Sequence, residues 1–284
     1  MLFKLFLTII REMLFISNFK RQAEPEMLME EALNIQAYDI EGQEGVLLGV
    51  YYYQIAQMCA IIKPGDIVAD LGCGPCNLLC ILAKLNPDVK FIGVDLSTNM
   101  LQQAKKNILN NKIQNIELLC DDITNITKLK SQSIDVIISS MAMHHLPSVE
   151  SLESLFIEIN RLLKSEKRLY IYDFGKVNRV ETINFFLSTV QNKYVKEDYK
   201  NSLIAAFKVK TFRTFSQKYL GKNIDIYYTR PAHIIVVIKS PSHAITKKQK
   251  EDIKNRILQF NSQQKKDYYM LKYFLSLNGL RSQV

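Results

Sequence analysis

Residues Ile67 to Cys76 read I-V-A-D-L-G-C-G-P-C, and this stretch restricts the fold more than any other. An apolar run ends in an acid, turns through two glycines and opens a helical pattern over Asn77 to Leu85. Gly72 and Gly74 lack a Cβ, so the backbone can turn tightly there and a ligand can touch the main chain. Pro75 suits a first helical position, where a missing N–H leaves no bond unmade. A strand, a glycine turn and a helix start together make a small-ligand site at the carboxyl edge of a parallel sheet.

The segments that follow extend this unit. Strands are expected at 67–71, 90–95, 116–120, 134–140 and 167–174, with helices at 76–85, 98–110 and 150–163 between them. A short polar stretch separates the third and fourth strands, so that crossover has little or no helix. Helices follow near 180–193 and 197–207. Two β-rich runs, Ile224 to Thr229 and His233 to Lys239, then flank Arg230-Pro231 as a hairpin-like pair. Upstream, Glu26 to Ala37 and Tyr51 to Ile61 read as helices, with Gly42, Gly45 and Gly49 loosening the chain between them. Alternating strands and helices imply an α/β, Rossmann-like, doubly wound sheet with right-handed crossovers.

The ligand follows from the side chains at the turn. The dinucleotide fingerprint needs a third glycine at position 77 and a phosphate at the helix start, but position 77 is Asn. Asp70, two residues before the first glycine, repels an anion and suits an ammonium group. Asp95 ends the next apolar run 25 residues further on, where an acid accepts both ribose hydroxyls. A nucleoside carrying an amino acid meets both demands, and S-adenosylmethionine is such a molecule.

The four segments V-A-D-L-G-C-G-P, G-V-D-L-S, C-D-D-I and D-V-I-I-S-S-M-A-M-H-H-L resemble the class I S-adenosylmethionine-dependent methyltransferases, most closely the small-molecule branch. The resemblance spans roughly Ala23 to Ser240. Ala23-Glu-Pro-Glu-Met, Tyr38-Asp39 and Ser202-Leu-Ile-Ala-Ala-Phe207 also resemble an uncharacterised bacterial group of that superfamily, which brings no acceptor with it. The resemblance implies a seven-stranded sheet, mostly parallel with one antiparallel strand. It also implies roles at the donor site. The Gly72 carbonyl and Asp70 face the ammonium, Gly74 allows close approach, and Asp95 takes the ribose with Leu96 packing on the adenine. Asp121 accepts from the adenine amine in competition with Asp122, Ser139 lies beside the methyl donor, and Tyr38 packs over the methionine portion from a lid helix. Where the family often has a third glycine, this chain has Cys76. The competing reading of Asp95 is a cap for the helix that starts near Ser97.

Acceptor chemistry falls to His145, His144 and Asp173. An unperturbed histidine titrates near neutrality and can deprotonate an acceptor, while Asp173, at the end of the fifth strand, can orient a histidine or bind a cation. Each also has a structural reading, as a loop-holding histidine or a buried acid. Ser-Ser-Met-Ala after the fourth strand departs from the signature of DNA amino-methyltransferases. Aromatics between Phe185 and Phe215 suggest an apolar acceptor wall, or plain core. The expected reaction is direct in-line methyl transfer to a small or lipid-like acceptor. The rivals are an RNA or protein methyltransferase using basic termini as clamps, and a silent donor-binding interaction protein.

Charge separates these readings. The formal charge is +9, and residues 1–22 carry +3 while residues 245–284 carry +6. The stretch between is near neutral, which argues against a nucleic acid gripped by the core. The expected organisation is an amphipathic helix over 1–22, a methyltransferase domain over 23–244 and a basic helical extension over 245–284. Within the domain the donor half covers about 60–175, and acceptor or lid elements cover 23–59 and 176–222. The first nineteen residues are apolar with a stripe of Lys4, Thr8, Arg11 and Glu12. That pattern fits a helix packed on protein or resting on a membrane surface, not a span of roughly 20 residues. Five cysteines, an odd number, suit a reducing cytoplasm. Cys73, Cys76 and Cys80 read as small hydrophobes rather than metal ligands or arsenic-binding thiols, so no metal is expected.

Overall fold

A computed structural model describes residues 2–14, 17–25, 32–45, 47–188 and 193–284, and of 2–6, 9, 32–34, 37–38 and 193–195 the backbone alone. Helices α1 (Leu2–Leu14), α2 (Ala32–Gln43) and α3 (Leu47–Cys59) precede the sheet. The alternating unit comprises β1 (Ile67–Leu71), α4 (Asn77–Leu85), β2 (Lys90–Asp95), α5 (Thr98–Asn110), β3 (Ile116–Cys120), β4 (Ile134–Ser140), α6 (Val149–Leu162) and β5 (Leu163–Phe174). Helices α7 (Val180–Leu187), α8 (Lys193–Ala205) and α9 (Val209–Phe215) follow. The hairpin strands β6 (Asp225–Tyr228) and β7 (Ile235–Lys239) come next, then α10 (Lys247–Leu258) and α11 (Ser262–Ser276).

The seven strands lie in the order β3-β2-β1-β4-β5-β7-β6. The first five are parallel, and β7 runs antiparallel to both β5 and β6. This is the expected doubly wound sheet with one antiparallel strand. The chain winds outward from β1 through β2 to β3, then returns to β4 on the other side of β1. That reversal opens a crevice above the carboxyl ends of β1 and β4.

Both faces of the sheet are covered, and the strand period of two sorts side chains between them. Val68, Val136, Ile138, Tyr170, Tyr172, Ile235 and Val237 enter one core with α3, α4, α10 and α11. Ala69, Leu71, Ile137, Leu169, Ile171, Val236 and Ile238 enter the other with α6 and α9. Phe207, Phe212 and Phe215 belong to this second core, so these members of the expected acceptor wall are packing residues. Helices α10 and α11 both begin in capping boxes, Thr246 with Gln249 and Asn261 with Gln264, which satisfy end N–H groups reciprocally. They place Ile253, Ile257, Tyr268 and Leu275 in the core shared with Tyr53 and Met58.

Three local readings change. Helix α2 continues past Ala37 to Gln43, and Gly42 and Gly49 lie inside helices rather than loosening the chain. A Cβ on Gly42 would sit 2.5 Å from Asn77 Nδ2, and one on Gly49 2.4 Å from the Gln264 carbonyl oxygen. These glycines allow close approach of neighbouring segments. The helix expected from 180 to 193 is shorter, ending at Leu187; residues 189–192 lie outside the described residues.

Candidate functional site

The glycine turn sits at the crevice. Gly72 and Cys73 donate their N–H groups to the Val94 carbonyl at 2.8 and 3.0 Å, which fastens the turn to the end of β2. Gly72 has φ +76°, and a Cβ there would lie 2.4 Å from Ala142 Cβ, so the turn after β1 presses on the segment after β4. Gly74 has φ +49° with nothing within 4 Å of a hypothetical Cβ; its free side is open space. Helix α4 starts at Asn77, and Cys76 precedes it with φ 60°. Pro75 is therefore not the first helical residue. Cys76 stands where the backbone is left-handed, the conformation glycine adopts without strain.

Two acids border this space. Asp70 is 4% exposed and receives no hydrogen bond among the described residues. Burial, then the nearby Asp95 charge, pushes its carboxyl up to about 8. Asp95 accepts from Gly74 N–H at 2.8 Å and from Ser97 N–H at 2.9 Å. Burial raises its carboxyl too, against the pull of these N–H groups and of His145. Helix α5 is capped by the Ser97 hydroxyl, which accepts from Met100 N–H. Asp95 instead ties the glycine turn to the loop before that helix. Leu96, beside it, is 36% exposed. An unpaired buried acid, a bare backbone surface at Gly74 and a second carboxylate fit the ammonium, chain and sugar of an aminoacyl nucleoside.

The other donor-side residues are placed as follows. Asp121 Oδ2 accepts from the N–H and hydroxyl of Thr127 and from Lys128 N–H, while Oδ1 accepts from Asp122 N–H; burial raises its pKa, and these bonds together outweigh it and hold the pKa below the ordinary carboxylate value. Asp122 accepts from Thr124. The Ser139 hydroxyl is buried and donates to the Leu71 carbonyl at 2.8 Å, so its proton is spent within the sheet. Tyr38 lies on α2, and its side chain falls outside the described residues. Its neighbour Asp39 forms a polar node that the sequence did not reveal. This buried carboxylate accepts from Asn77 and Asn107 at 3.0 and 2.6 Å on one oxygen, and from Gln43 and Gln103 at 2.8 and 2.9 Å on the other. Asn107 also donates to the Pro75 carbonyl. The node joins α2 to the glycine turn and to α5.

Across the crevice, the turn Met143–His145 after β4 carries both histidines. His144 is 3% exposed, and its Nδ1 lies 2.6 Å from Asp173 Oδ1. Asp173 also accepts N–H from Met143 and Phe174, each at 2.6 Å. His145 Nδ1 contacts Glu24 Oε2, and Glu24 Oε1 accepts from the Ser202 hydroxyl at 2.7 Å. Burial resists charge on both partners. The mutual hydrogen bond and charges overcome it, so the His145 pKa rises and the Glu24 pKa falls. Asp198 belongs to the same neighbourhood and is raised, chiefly by burial and then by Glu24. Glu24 reaches this place because Arg21 fixes the strap 17–25. The Arg21 guanidinium donates to the carbonyls of His144, Leu146, Pro147 and Ala205 and lies 3.9 Å from the Phe207 ring centre.

Sequence reasoning did not single out Arg21, Glu24 or Ser202 as functional. The available signal was the pair of segments Ala23–Met27 and Ser202–Phe207, which resemble the same bacterial group and meet at the Glu24–Ser202 bond. Five free cysteines are present, with Cys120 exposed and the other four buried. Among the described residues, Glu24, His144 and His145 form the group whose ligand atoms lie close enough to hold a metal ion, all within 4.8 Å of one another.

Comparison with known proteins agrees with this architecture. The profile of the methyltransferase domain family matches residues 62–274. The chain belongs to that family, whose methyl donor is S-adenosylmethionine. Among curated relatives, the arsenite methyltransferase of Halobacterium salinarum is 30% identical over 116 residues, covering 40% of this chain and 28% of that protein. The tRNA (guanine-N(7)-)-methyltransferase of Lactobacillus gasseri is 27% identical over 139 residues, covering 47% of this chain and 62% of that protein. The chain thus spans less than two thirds of either. A solved protein structure from Nostoc punctiforme superposes with a TM-score of 0.56 at 16% identity, covering 83% of this chain and 68% of its own; this likeness is one of fold. Among the described residues no helix is long and apolar enough to cross a membrane.

Proposed function

We propose that this chain transfers a methyl group from S-adenosylmethionine to a small or lipid-like organic acceptor. The acceptor's lone pair attacks the methyl carbon in line, the carbon–sulfur bond breaks, and its electron pair stays on sulfur as a neutral thioether. The Asp70 carboxylate and the Gly72 carbonyl hold the donor's ammonium, and Gly74 lets the methionine chain lie on the backbone. Asp95 takes the ribose hydroxyls, Leu96 covers the adenine, and the remaining lone pair of Asp121 Oδ1 receives the adenine amine. Tyr38 closes over the donor from α2, and Ser139 supports the methyl end through the sheet. Holding donor and acceptor in line supplies about 7–11 kcal/mol of such a barrier in favourable cases.

The observation that carries this reading is the pairing of an unpartnered buried acid at Asp70 with open space at Gly74, opposite the polar cluster of His144, His145 and Asp173. The strap 17–25 lies over that cluster and favours a compact acceptor. The near-neutral middle of the chain favours an acceptor other than nucleic acid, and the buried thiols argue against arsenic. A cytoplasmic enzyme, with α1 packed on α7 and resting on lipid where a membrane is near, fits the same picture.

The test is to incubate the full chain with methyl-labelled donor and a cell extract. Label in a small or lipid metabolite supports the proposal. Label confined to RNA or protein overturns the acceptor class, and no transfer despite donor binding leaves an interaction protein.

A further inference from the structure

We propose that Glu24, His144 and His145 bind a divalent transition-metal ion, with Asp173 as the group that orients His144. The argument starts from Asp173. Its carboxylate accepts N–H bonds from Met143 and Phe174, so it acts as an acceptor, and His144 Nδ1 at 2.6 Å is the donor. In the neutral ring this makes Nδ1 the protonated nitrogen and leaves His144 Nε2 free. Nε2 points at Glu24 Oε1 across 3.9 Å. A nitrogen lone pair and a carboxylate oxygen that face each other repel unless a cation stands between them. An ion about 2.0–2.2 Å from each ligand bridges such a gap.

The third ligand atom is His145 Nδ1, which already touches the same carboxylate through Oε2; the ion replaces the proton these two share. His145 is 35% exposed, and the three ligand atoms already lie within 4.8 Å of one another. A ligating histidine whose second nitrogen donates to a carboxylate is the usual support of a metal site. Charge points the same way, since Glu24, Asp173 and Asp198 crowd two imidazoles. Two imidazoles and one carboxylate suit zinc or ferrous iron rather than magnesium or calcium, and three protein ligands leave a coordination position open.

Glu24 comes from a strap that the sheet topology does not require, and Arg21 holds that strap with four carbonyl bonds. The ligand set is therefore built by two segments, the strap and the turn after β4, rather than by one local turn. The ion's task rests on the proposed transfer reaction, although its binding does not. At the open position it would take a hydroxyl oxygen of the acceptor and lower the pKa of that hydroxyl, so that the hydroxyl would give its proton to water at the solvent-exposed His145 side before the oxygen attacks the methyl carbon. The acceptor class is then an alcohol or phenol.

The experiment uses the full chain, stripped with a chelator, and cobalt(II) or zinc(II) alone as the probe. One ion per chain by equilibrium dialysis, with visible cobalt bands and no thiolate charge-transfer band, is expected. Glu24→Gln and His145→Asn should each abolish stoichiometric uptake while retaining the wild-type circular dichroism. Asp173→Asn should weaken it by about 10–100-fold, an effect that a merely structural acid would not produce in a folded variant. Absence of stoichiometric uptake, a thiolate spectrum, or uptake unchanged in both ligand variants overturns the site. Calorimetry of the demethylated donor on the same samples separates the two proposals: donor binding without metal uptake sinks only the metal site.

Discussion

Binding of the donor should expel a proton from Asp70. The carboxyl is 4% exposed, has no hydrogen-bond donor among the described residues, and is pushed up to about 8 by burial and by Asp95. At pH 7 such a group is roughly nine-tenths protonated. An ammonium placed against it favours the carboxylate, so binding releases about 0.9 proton, less about 0.1 taken up by the ligand's own α-amine. The affinity for S-adenosylhomocysteine should therefore rise about eightfold between pH 6 and pH 7. Titration calorimetry in phosphate and in Tris at one pH measures the proton directly, because the two buffers differ in ionisation enthalpy. Asp70→Asn should bind weakly and keep only the small buffer dependence of the α-amine's uptake, about 0.1 proton. Without ligand, the raised carboxyl means that the folded chain holds a proton which the unfolded chain has already lost. Stability from this group thus falls as pH rises from near 4 to about 8. Asp70→Asn escapes that loss and should melt above the wild type at pH 8. Equal heats in both buffers, with affinity flat from pH 6 to 7, would refute the assignment of Asp70 to the ammonium.

Other perturbations test the surrounding frame. Gly72→Ala combines a left-handed backbone with a Cβ 2.4 Å from that of Ala142, and should lose about 1–3 kcal/mol in urea unfolding; adding Ala142→Gly should recover the steric part but not the backbone part. Asp39→Asn turns an acceptor of four amide donors into one that points N–H at N–H. A loss of roughly 3 kcal/mol with weakened donor binding is expected, and unchanged unfolding would show the node to be dispensable. Glu12 is buried and accepts from the N–H groups of Asn178 and Arg179 and from the Thr182 hydroxyl. Glu12→Gln should free α1 from α7, seen as faster amide exchange in residues 2–14 than in wild type.

Much of the sheet was legible because apolar runs bounded by turn residues leave few alternatives. The runs at 67–71, 90–95, 116–120 and 134–140 match the strands to the residue. The missing crossover helix between β3 and β4 followed from the polar composition of 121–133. Helix ends were less legible. Cys76 takes a left-handed backbone at the start of α4, which the side chain itself disfavours and the neighbouring glycines hid. Gly42 and Gly49 looked like breaks because a sequence does not show that Asn77 and Gln264 come close. On the site, the turn glycines and the acids after β1 and β2 announced themselves through spacing. The partner of His145 did not, since Glu24 lies 121 residues from His145, and Ser202, which donates to Glu24, a further 57 along. Such contacts have no local period and are fixed by tertiary packing alone.

The position of β7 sets a timetable for synthesis. It sits between β5 and β6 although it is made after both, and α3 receives its covering helices α10 and α11 later still. A growing chain that has just finished β5 carries an open strand flank from Tyr170 to Phe174 and a bare greasy helix at Tyr53 and Met58. At about 5–20 residues per second, the hundred or so residues up to the end of α11 take on the order of 5–20 s to appear. Until β7 appears within that interval the ribosome holds a half-closed sheet, and a chain cut short before residue 235 would keep it that way.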